Sequence, residues 1–321
     1  MTETESITTG DGSLTEGVET RRRRQIPDGK AFALCLTHDV DRPYKTYQSV
    51  YYAVSQGKLS QLKSLLPGRN PYWSFEQIKA IESDLGVRSS FNFLDEQSLF
   101  ADRPRWEVLS PESWMRYAGR YDLTDPAIVD LIHDLDAGGW EIGLHGSYDS
   151  YRDRERLREE KRRLESVLGR EVTGIRQHHL NLSVPDTWEH HAAIGLDYDT
   201  SLGSSVEYGF QYGYGIKRPF EDSFVVFPLT LMEIALPVGR DPSSARETVE
   251  SLLLEARENG AVMSVLWHPR FFCEDTPAYG PIYRQLIERA LELDAWVGPP
   301  GELYEQLDHP ASPPDQASPS D

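Results

Sequence analysis

Two aspartates one residue apart, Asp39 and Asp41, follow an apolar run from Ala31 to Leu36. At the end of an extended strand such a pair points the same way. Carboxylates a few Å apart raise one another's pKa unless a cation sits between them. The pair is therefore either a metal-and-base site or a capping aspartate beside a loop aspartate ahead of Pro43. Further along stand His145 with Asp149 four residues on, Arg176 with His178 and His179, and Trp267 with His268. These are the residue types of metal-assisted hydrolysis: carboxylate and imidazole ligands, a general base and a general acid. Read alone, His145 is an ordinary core histidine, and Arg176 is a buried ion-pair partner.

The elements that must position these groups follow from periodicity. Ala31–Leu36 is read as a buried parallel strand, as are Ser89–Leu94, Trp140–Leu144, Val172–Ile175, Asp197–Thr200, Phe224–Phe227, Ala261–Trp267 and Ala295–Val297. Helices are expected over Tyr44–Val54, from a capping-box arrangement at Ser74 to Leu85, and over Pro126–Leu135, Arg152–Leu168, Pro185–Ile194, Pro242–Glu258, Pro281–Leu293 and Pro300–Leu307. Leu59–Trp73 reads as an irregular insertion, and the segment carrying Trp106 and Trp114 as a polar loop.

Alternating strands and helices imply one α/β domain, a closed or nearly closed (β/α) barrel of parallel strands over residues 27–308. Polar tails, 1–26 and 309–321, are expected to be disordered. In such barrels chemistry lies at the carboxyl ends of the strands. Asp39 and Asp41, His145, Arg176 with its two histidines, and His268 all fall there, on four separate strands. That convergence favours the metal-and-base reading of the aspartate pair.

Composition narrows the partners. With 33 basic and 52 acidic residues the net charge is −19, which repels phosphates and anionic lipid heads and suits a protein kept soluble in strong salt, as from a halophilic source. Nucleic acid is not an expected partner. Two cysteines, Cys35 and Cys273, cannot build a disulfide framework, and no CxxC zinc pattern exists. Met1–Gly17 has no apolar signal core, no hydrophobic segment follows Arg21–Arg24, and no run approaches the ~18 apolar residues of a membrane span. A cytoplasmic protein is expected.

From Ala31 to Leu307 these segments resemble the polysaccharide deacetylases, the NodB-homology carbohydrate esterases of family 4, and the resemblance implies a distorted (β/α) barrel of seven strands. Thr37-His38-Asp39-Val40-Asp41 looks like the family's Thr-Phe-Asp-Asp-Gly motif. By position Asp39 matches the catalytic base. Val40 stands where the metal-binding aspartate is expected, so that role passes to Asp41, and exchange of the two roles stays open. His145-Gly146-Ser147-Tyr148-Asp149 resembles the His-Ser/Thr-x-x-His motif, with Asp149 in place of the second histidine. On a helical turn Asp149 would reach the same ion.

Arg176-Gln177-His178-His179 resembles the Arg-Pro-Pro-Tyr motif, whose arginine holds the base aspartate. Leu266-Trp267-His268 resembles the last motif, whose histidine is the general acid. The resemblance implies a divalent cation on Asp41, His145 and Asp149, with Zn²⁺ first and Co²⁺, Ni²⁺ or Mn²⁺ as alternatives. It also implies an N-acylated sugar or glycan as substrate, with N-acetyl as the leading acyl group. His178, His179, Tyr212 and Trp267 are candidate substrate contacts, and one of the two histidines is equally a ligand. The aromatic loop residues Tyr208, Phe210, Tyr212 and Tyr214, with Trp106, either stack on sugar rings or pack their loops. Two other classes fit the same residues: a catalytically silent carbohydrate-binding or scaffold protein, and an amide hydrolase acting on a small non-sugar compound.

Overall fold

In the computed structural model, residues 25–45, 70–96, 110, 113, 120–220 and 223–308 are described. The expected helix Tyr44–Val54, most of the insertion Leu59–Trp73, the residues Trp106 and Trp114, and nearly all of both tails lie outside them.

Among the described residues nine strands form one sheet: β1 (Phe32–Val40), β2 (Ser90–Leu94), β3 (Glu141–Gly146), β4 (Gly174–Gln177), β5 (Tyr198–Asp199), β6 (Val225–Val226), β7 (Leu229–Met232), β8 (Val262–Leu266) and β9 (Ala295–Gly298). The order is β6-β5-β4-β3-β2-β1-β8-β7, all pairs are parallel, and β9 joins the lower half of β1. The sheet curls so far that its two end strands, β6 and β7, are consecutive in the chain, separated only by Phe227 and Pro228. Proline cannot donate to a ladder, so the run breaks there and its two halves pair with opposite sides, β5 and β8. This break adds β7 to the strands read from periodicity, among which β9 was already counted. The architecture is the distorted (β/α) barrel read from the sequence.

Helices α1 (Phe75–Asp84), α2 (Pro126–Ala137), α3 (Arg154–Leu168), α4 (Asp186–Ala193), α5 (Pro242–Asn259), α6 (Tyr279–Glu292) and α7 (Pro300–Glu305) accompany the sheet. α3 buries Leu157, Leu164 and Leu168, as its spacing requires, and Asp153 caps it by accepting from Arg156 N–H at 3.1 Å. Ser74 stands at the N-terminus of α1, but its hydroxyl donates to the Pro71 carbonyl at 3.1 Å instead of capping. The capping-box arrangement thus marks the right position without forming the expected bond.

Strand alternation sorts the side chains. From β1, Phe32, Leu34, Leu36 and Val40 enter the larger core cluster under the helices, while Ala33 and Cys35 join Tyr198, Phe227, Trp296 and Leu303 in a second cluster. Thr37, Asp39 and Asp41 continue the second face upward, and His38 sits among the helix-side residues, against Glu82 of α1 and Tyr283 of α6. The same alternation separates Trp267, wholly buried against Tyr279 and Tyr283, from His268, which faces the cavity.

At the start of β3, Glu141 accepts from the Tyr198 hydroxyl and from Gly301 N–H at 2.9 Å. Burial of this carboxyl group pushes its pKa from 4.5 up to about 7. The folded chain keeps this proton where the unfolded chain has lost it. The associated stability is full below the unfolded value and is lost as pH rises through about 7. Glu141→Gln should therefore flatten the fall in stability between about pH 5 and 8 by on the order of 2 kcal/mol. Chemical denaturation across that range checks it; an unchanged slope would show that Glu141 is already ionised in the fold.

Candidate metal and active site

The upper ends of β1, β3, β4 and β8 surround a cavity of about 170 Å³, lined by Asp39, Asp41, His145, Gln177, His178, His179 and His268 among others. Strand register sets these groups side by side. Asp39 lies opposite Asn92 on β2, which lies opposite Gly143 on β3, and His145 lies opposite Arg176 on β4. Gly143 leaves room for the Asn92 side chain, since a Cβ there would stand 2.2 Å from its oxygen and displace it. Asn92 can then donate through its amide nitrogen to Asp39 Oδ1 at 2.9 Å.

Asp39 Oδ1 also accepts from Arg176 Nη1 at 3.2 Å. Arg176 is wholly buried and donates further to Thr37 Oγ1 at 2.6 Å and to the Thr200 carbonyl at 3.0 Å. Burial alone would raise the Asp39 pKa, but Arg176, His145 and His268 outweigh it and hold the group below its ordinary value. Asp39 is thus an ionised carboxylate with one oxygen held by donors and the other, Oδ2, 3.9 Å from His145 Nε2.

Asp41 has two different neighbours. Oδ1 lies 3.1 Å from His145 Nε2, and Oδ2 accepts from Arg270 Nη1 at 2.6 Å. Against the effect of burial, Arg270, the hydrogen bond from His145 and the charges of His268 and His178 hold Asp41 well below the usual carboxylate range. His145 donates through Nδ1 to the Arg176 carbonyl at 2.8 Å, so Nε2 is the nitrogen presented to Asp41. Burial lowers the His145 pKa, but Asp39 and Asp41 raise it by more, so a positive charge at this point is favoured.

His178 is the third member. Its Nε2 lies 3.9 Å from Asp41 Oδ1 and accepts from Arg120 Nη2 at 3.3 Å. Burial and Arg120 push its pKa well down, keeping the ring neutral as a ligand must be. Its Nδ1 is buried without a hydrogen bond, 3.8 Å from Glu96 Oε2. One ligand atom from each of Asp41, His145 and His178 lies within 4.8 Å of the others, and all three residues are buried. A carboxylate and two imidazoles suit Zn²⁺ and other divalent first-row ions, so the residues fit the cation expected from the sequence.

Asp149 is not part of this cluster. The strand runs through Gly146 and a turn follows, so no helical turn places Asp149 on the face of His145. Asp149 instead begins the short helix Ser150–Arg152 and does not line the cavity. His178 completes the cluster in its stead, followed by the consecutive left-handed residues His179 (φ 58°) and Leu180 (φ 56°). Such backbone is costly for non-glycine residues and concentrates at functional sites. His179 is exposed at the cavity edge.

Trp267 faces the helices, and Tyr212, 37% exposed, does not line the cavity, so neither occupies the substrate-contact position expected of it. Phe210 and Tyr214 pack against the core.

His268 points its Nε2 toward Asp41 Oδ2 at 3.6 Å and is oriented through Nδ1 by Glu233 Oε1 at 2.6 Å. Glu233, Asn92, Arg120 and Arg270 were not singled out in the sequence. Asn92 had a signal, a lone amide inside the apolar run Phe91–Leu94. Glu233 directly follows β7, a strand that the periodicity did not reveal, since the run read from it stops at Phe227. Arg120 has no signal of its own.

No family model matches the chain, and no curated protein matches its sequence. Solved structures do. A chain from Mycobacterium smegmatis assigned as a polysaccharide deacetylase superposes with a TM-score of 0.56 at 19% identity, covering 88% of this chain and 91% of the other. The fold is that of the polysaccharide deacetylases. The same polysaccharide deacetylase fold is shared by Puue allantoinase, with a TM-score of 0.54 at 16% identity over 88% of this chain and 92% of that one. Likeness at this identity concerns architecture; the chemistry must be argued from the side chains. Among the described residues no helix is long and apolar enough to cross a membrane.

Proposed function

We propose that this protein is a metal-dependent hydrolase that removes an acyl group from nitrogen, with Asp41, His145 and His178 as the ligands. The observation that carries this reading is the convergence of three buried ligand atoms within 4.8 Å, beside an ionised carboxylate and a carboxylate-oriented histidine. A divalent cation held there would supply Lewis acidity, lowering the pKa of water toward ~7 and polarising the acyl carbonyl.

The chain's own residues supply the rest. Asp39, restrained on one oxygen by Arg176 and Asn92, presents Oδ2 to the cavity as the general base. His268, oriented by Glu233, donates a proton to the departing amine nitrogen. Arg176 keeps Asp39 ionised and in place, and Arg270 holds the free oxygen of Asp41.

The substrate class implied by the resemblance is an N-acylated sugar or glycan. A second reading, a small non-sugar amide, is favoured by the cavity lining: among the described residues it contains no Phe, Tyr or Trp to stack on a sugar face.

Metal dependence is the test. Protein stripped with a chelator should lose turnover on a panel of N-acetylated sugars and small N-acyl compounds, and regain it with Zn²⁺, Co²⁺, Ni²⁺ or Mn²⁺. His145→Ala should weaken calorimetric metal binding by at least about 100-fold, since it removes one of three protein ligands. Metal binding that is unaffected by His145→Ala, or turnover that survives chelation, would falsify the assignment.

A further inference from the structure

We propose that the substrate carries a carboxylate group, and that this group docks on Arg270. Placing an acyl group beside that carboxylate rests on the hydrolase reading; the anion site itself does not.

Arg270 lines the cavity beside Asp41 and His268. One nitrogen, Nη1, is committed to Asp41 Oδ2. Among the described residues Nε and Nη2 make no hydrogen bond, and neither is a sealed, unsatisfied group, since a quarter of the side chain stays open. The guanidinium lies over the Phe271 ring, 5.2 Å from its centroid, which leaves its edge available. A guanidinium that lines a cavity with N–H groups to spare matches a carboxylate in a planar, bidentate way.

The charge balance points the same way. Among the described residues around the cavity, the carboxylates of Asp39, Asp41, Glu96 and Glu233 are offset by the guanidinium groups of Arg120, Arg156, Arg176 and Arg270. A divalent cation then leaves the site with two excess positive charges. A neutral amide leaves that excess in place, whereas a carboxylate reduces it inside a low-dielectric cavity, where such interactions are strong. The chain's net charge of −19 opposes an anion at long range, but salt screens that field beyond about 8 Å at physiological ionic strength.

Shape completes the picture. Leu180, Met232, Ile234 and Leu266 form an apolar wall suited to an acyl chain or a hydrocarbon side chain. A volume of about 170 Å³ suits a compact molecule, one in which the amide and the carboxylate are close together. N-acylated amino acids have this chemistry.

The competing role for Arg270 is only to hold Asp41, and binding measurements separate the two. The probe is 4-oxopentanoate, in which a methylene replaces the nitrogen of N-acetylglycine so that no turnover occurs; its uncharged partner is 4-oxopentanamide. Both are titrated calorimetrically into Zn²⁺-loaded wild-type, Arg270→Met and Arg270→Lys proteins. The acid should bind wild type at least about tenfold more tightly than the amide. That preference should fall below about threefold in Arg270→Met and be partly kept in Arg270→Lys, which retains the charge without the fork.

Equal binding of acid and amide to wild type, or no binding of either, overturns the proposal. So does a preference that survives Arg270→Met, since the carboxylate would then be held elsewhere. If Arg270→Met does not fold, Arg270→Lys decides by whether it reduces the preference. An Arg270-dependent preference in a protein that turns over no N-acyl compound with any metal would remove the hydrolase reading and leave the anion site standing.

Discussion

Replacing Asp39 with asparagine should lower kcat on an N-acyl substrate by about 10²- to 10⁴-fold, the usual contribution of a positioned general base. The substitution is nearly isosteric. Its carbonyl can keep accepting from Arg176 Nη1 and Asn92 Nδ2, while an amide N–H₂, unable to take a proton, faces the cavity in place of Oδ2. KM should change little, because the carboxylate acts on the water proton and not on the bound ground state.

The same variant resolves the open exchange of roles between the two aspartates. His145 Nε2 stands 3.1 Å from Asp41 Oδ1 and 3.9 Å from Asp39 Oδ2. If Asp39 is the base, metal affinity measured by calorimetry should stay within a few-fold of wild type. An affinity loss of a hundredfold or more would make Asp39 the ligand and transfer the base role to Asp41.

The second large effect concerns stability. Arg176→Met should destabilise the fold by about 3–5 kcal/mol, because it removes one partner of a buried pair and leaves the Asp39 carboxylate uncompensated. Arg176 is 0% exposed and ties β4 to β1 through Asp39 and Thr37, and to the segment after β5 through the Thr200 carbonyl. Combining it with Asp39→Asn should recover part of the loss, since the amide carries no charge to strand, with a coupling of about 1–3 kcal/mol in a double-mutant cycle. Urea unfolding of the four proteins measures it. Strict additivity would mean that the two side chains share no energy, and that Arg176 serves the fold through its packing and its bonds to Thr37 and Thr200.

Much of the barrel was legible from periodicity. β1, β2, β3 and β8 are long apolar runs buried on both faces, and the helices between them carry an apolar stripe and a clear stop, as Leu157, Leu164, Leu168 and Gly169 do for α3. β7 was not legible as a strand of its own. Its separation from β6 depends on Pro228 breaking a run whose halves then find different partners, a pairing that no local pattern encodes.

The site divides in a similar way. Asp39, Asp41, His145, Arg176 and His268 stand at the ends of apolar strands, and a strand of parallel sheet has little use for a titratable side chain at that end unless it does chemistry. The meeting of Asp39, Asp41, His145 and His268 around one cavity, with Arg176 behind Asp39, was therefore readable in advance. The third member of the cluster was not. Spacing alone favours Asp149, four residues after His145, because a helical turn would place it on the same face. The chain instead continues as strand to Gly146, and the left-handed pair His179–Leu180 turns His178 into the gap.

The chain on its own determined the α/β barrel, the rim that carries the chemistry, and the residue types available there, because hydrophobic period and strand polarity are local properties of sequence. Tertiary structure alone decided that His178 and not Asp149 joins the cluster, that Trp267 faces the helices, and that Glu233, Asn92, Arg120 and Arg270 complete the site. Those partners come from segments distant in the chain, and only strand register and the curl of the sheet bring them within hydrogen-bonding distance.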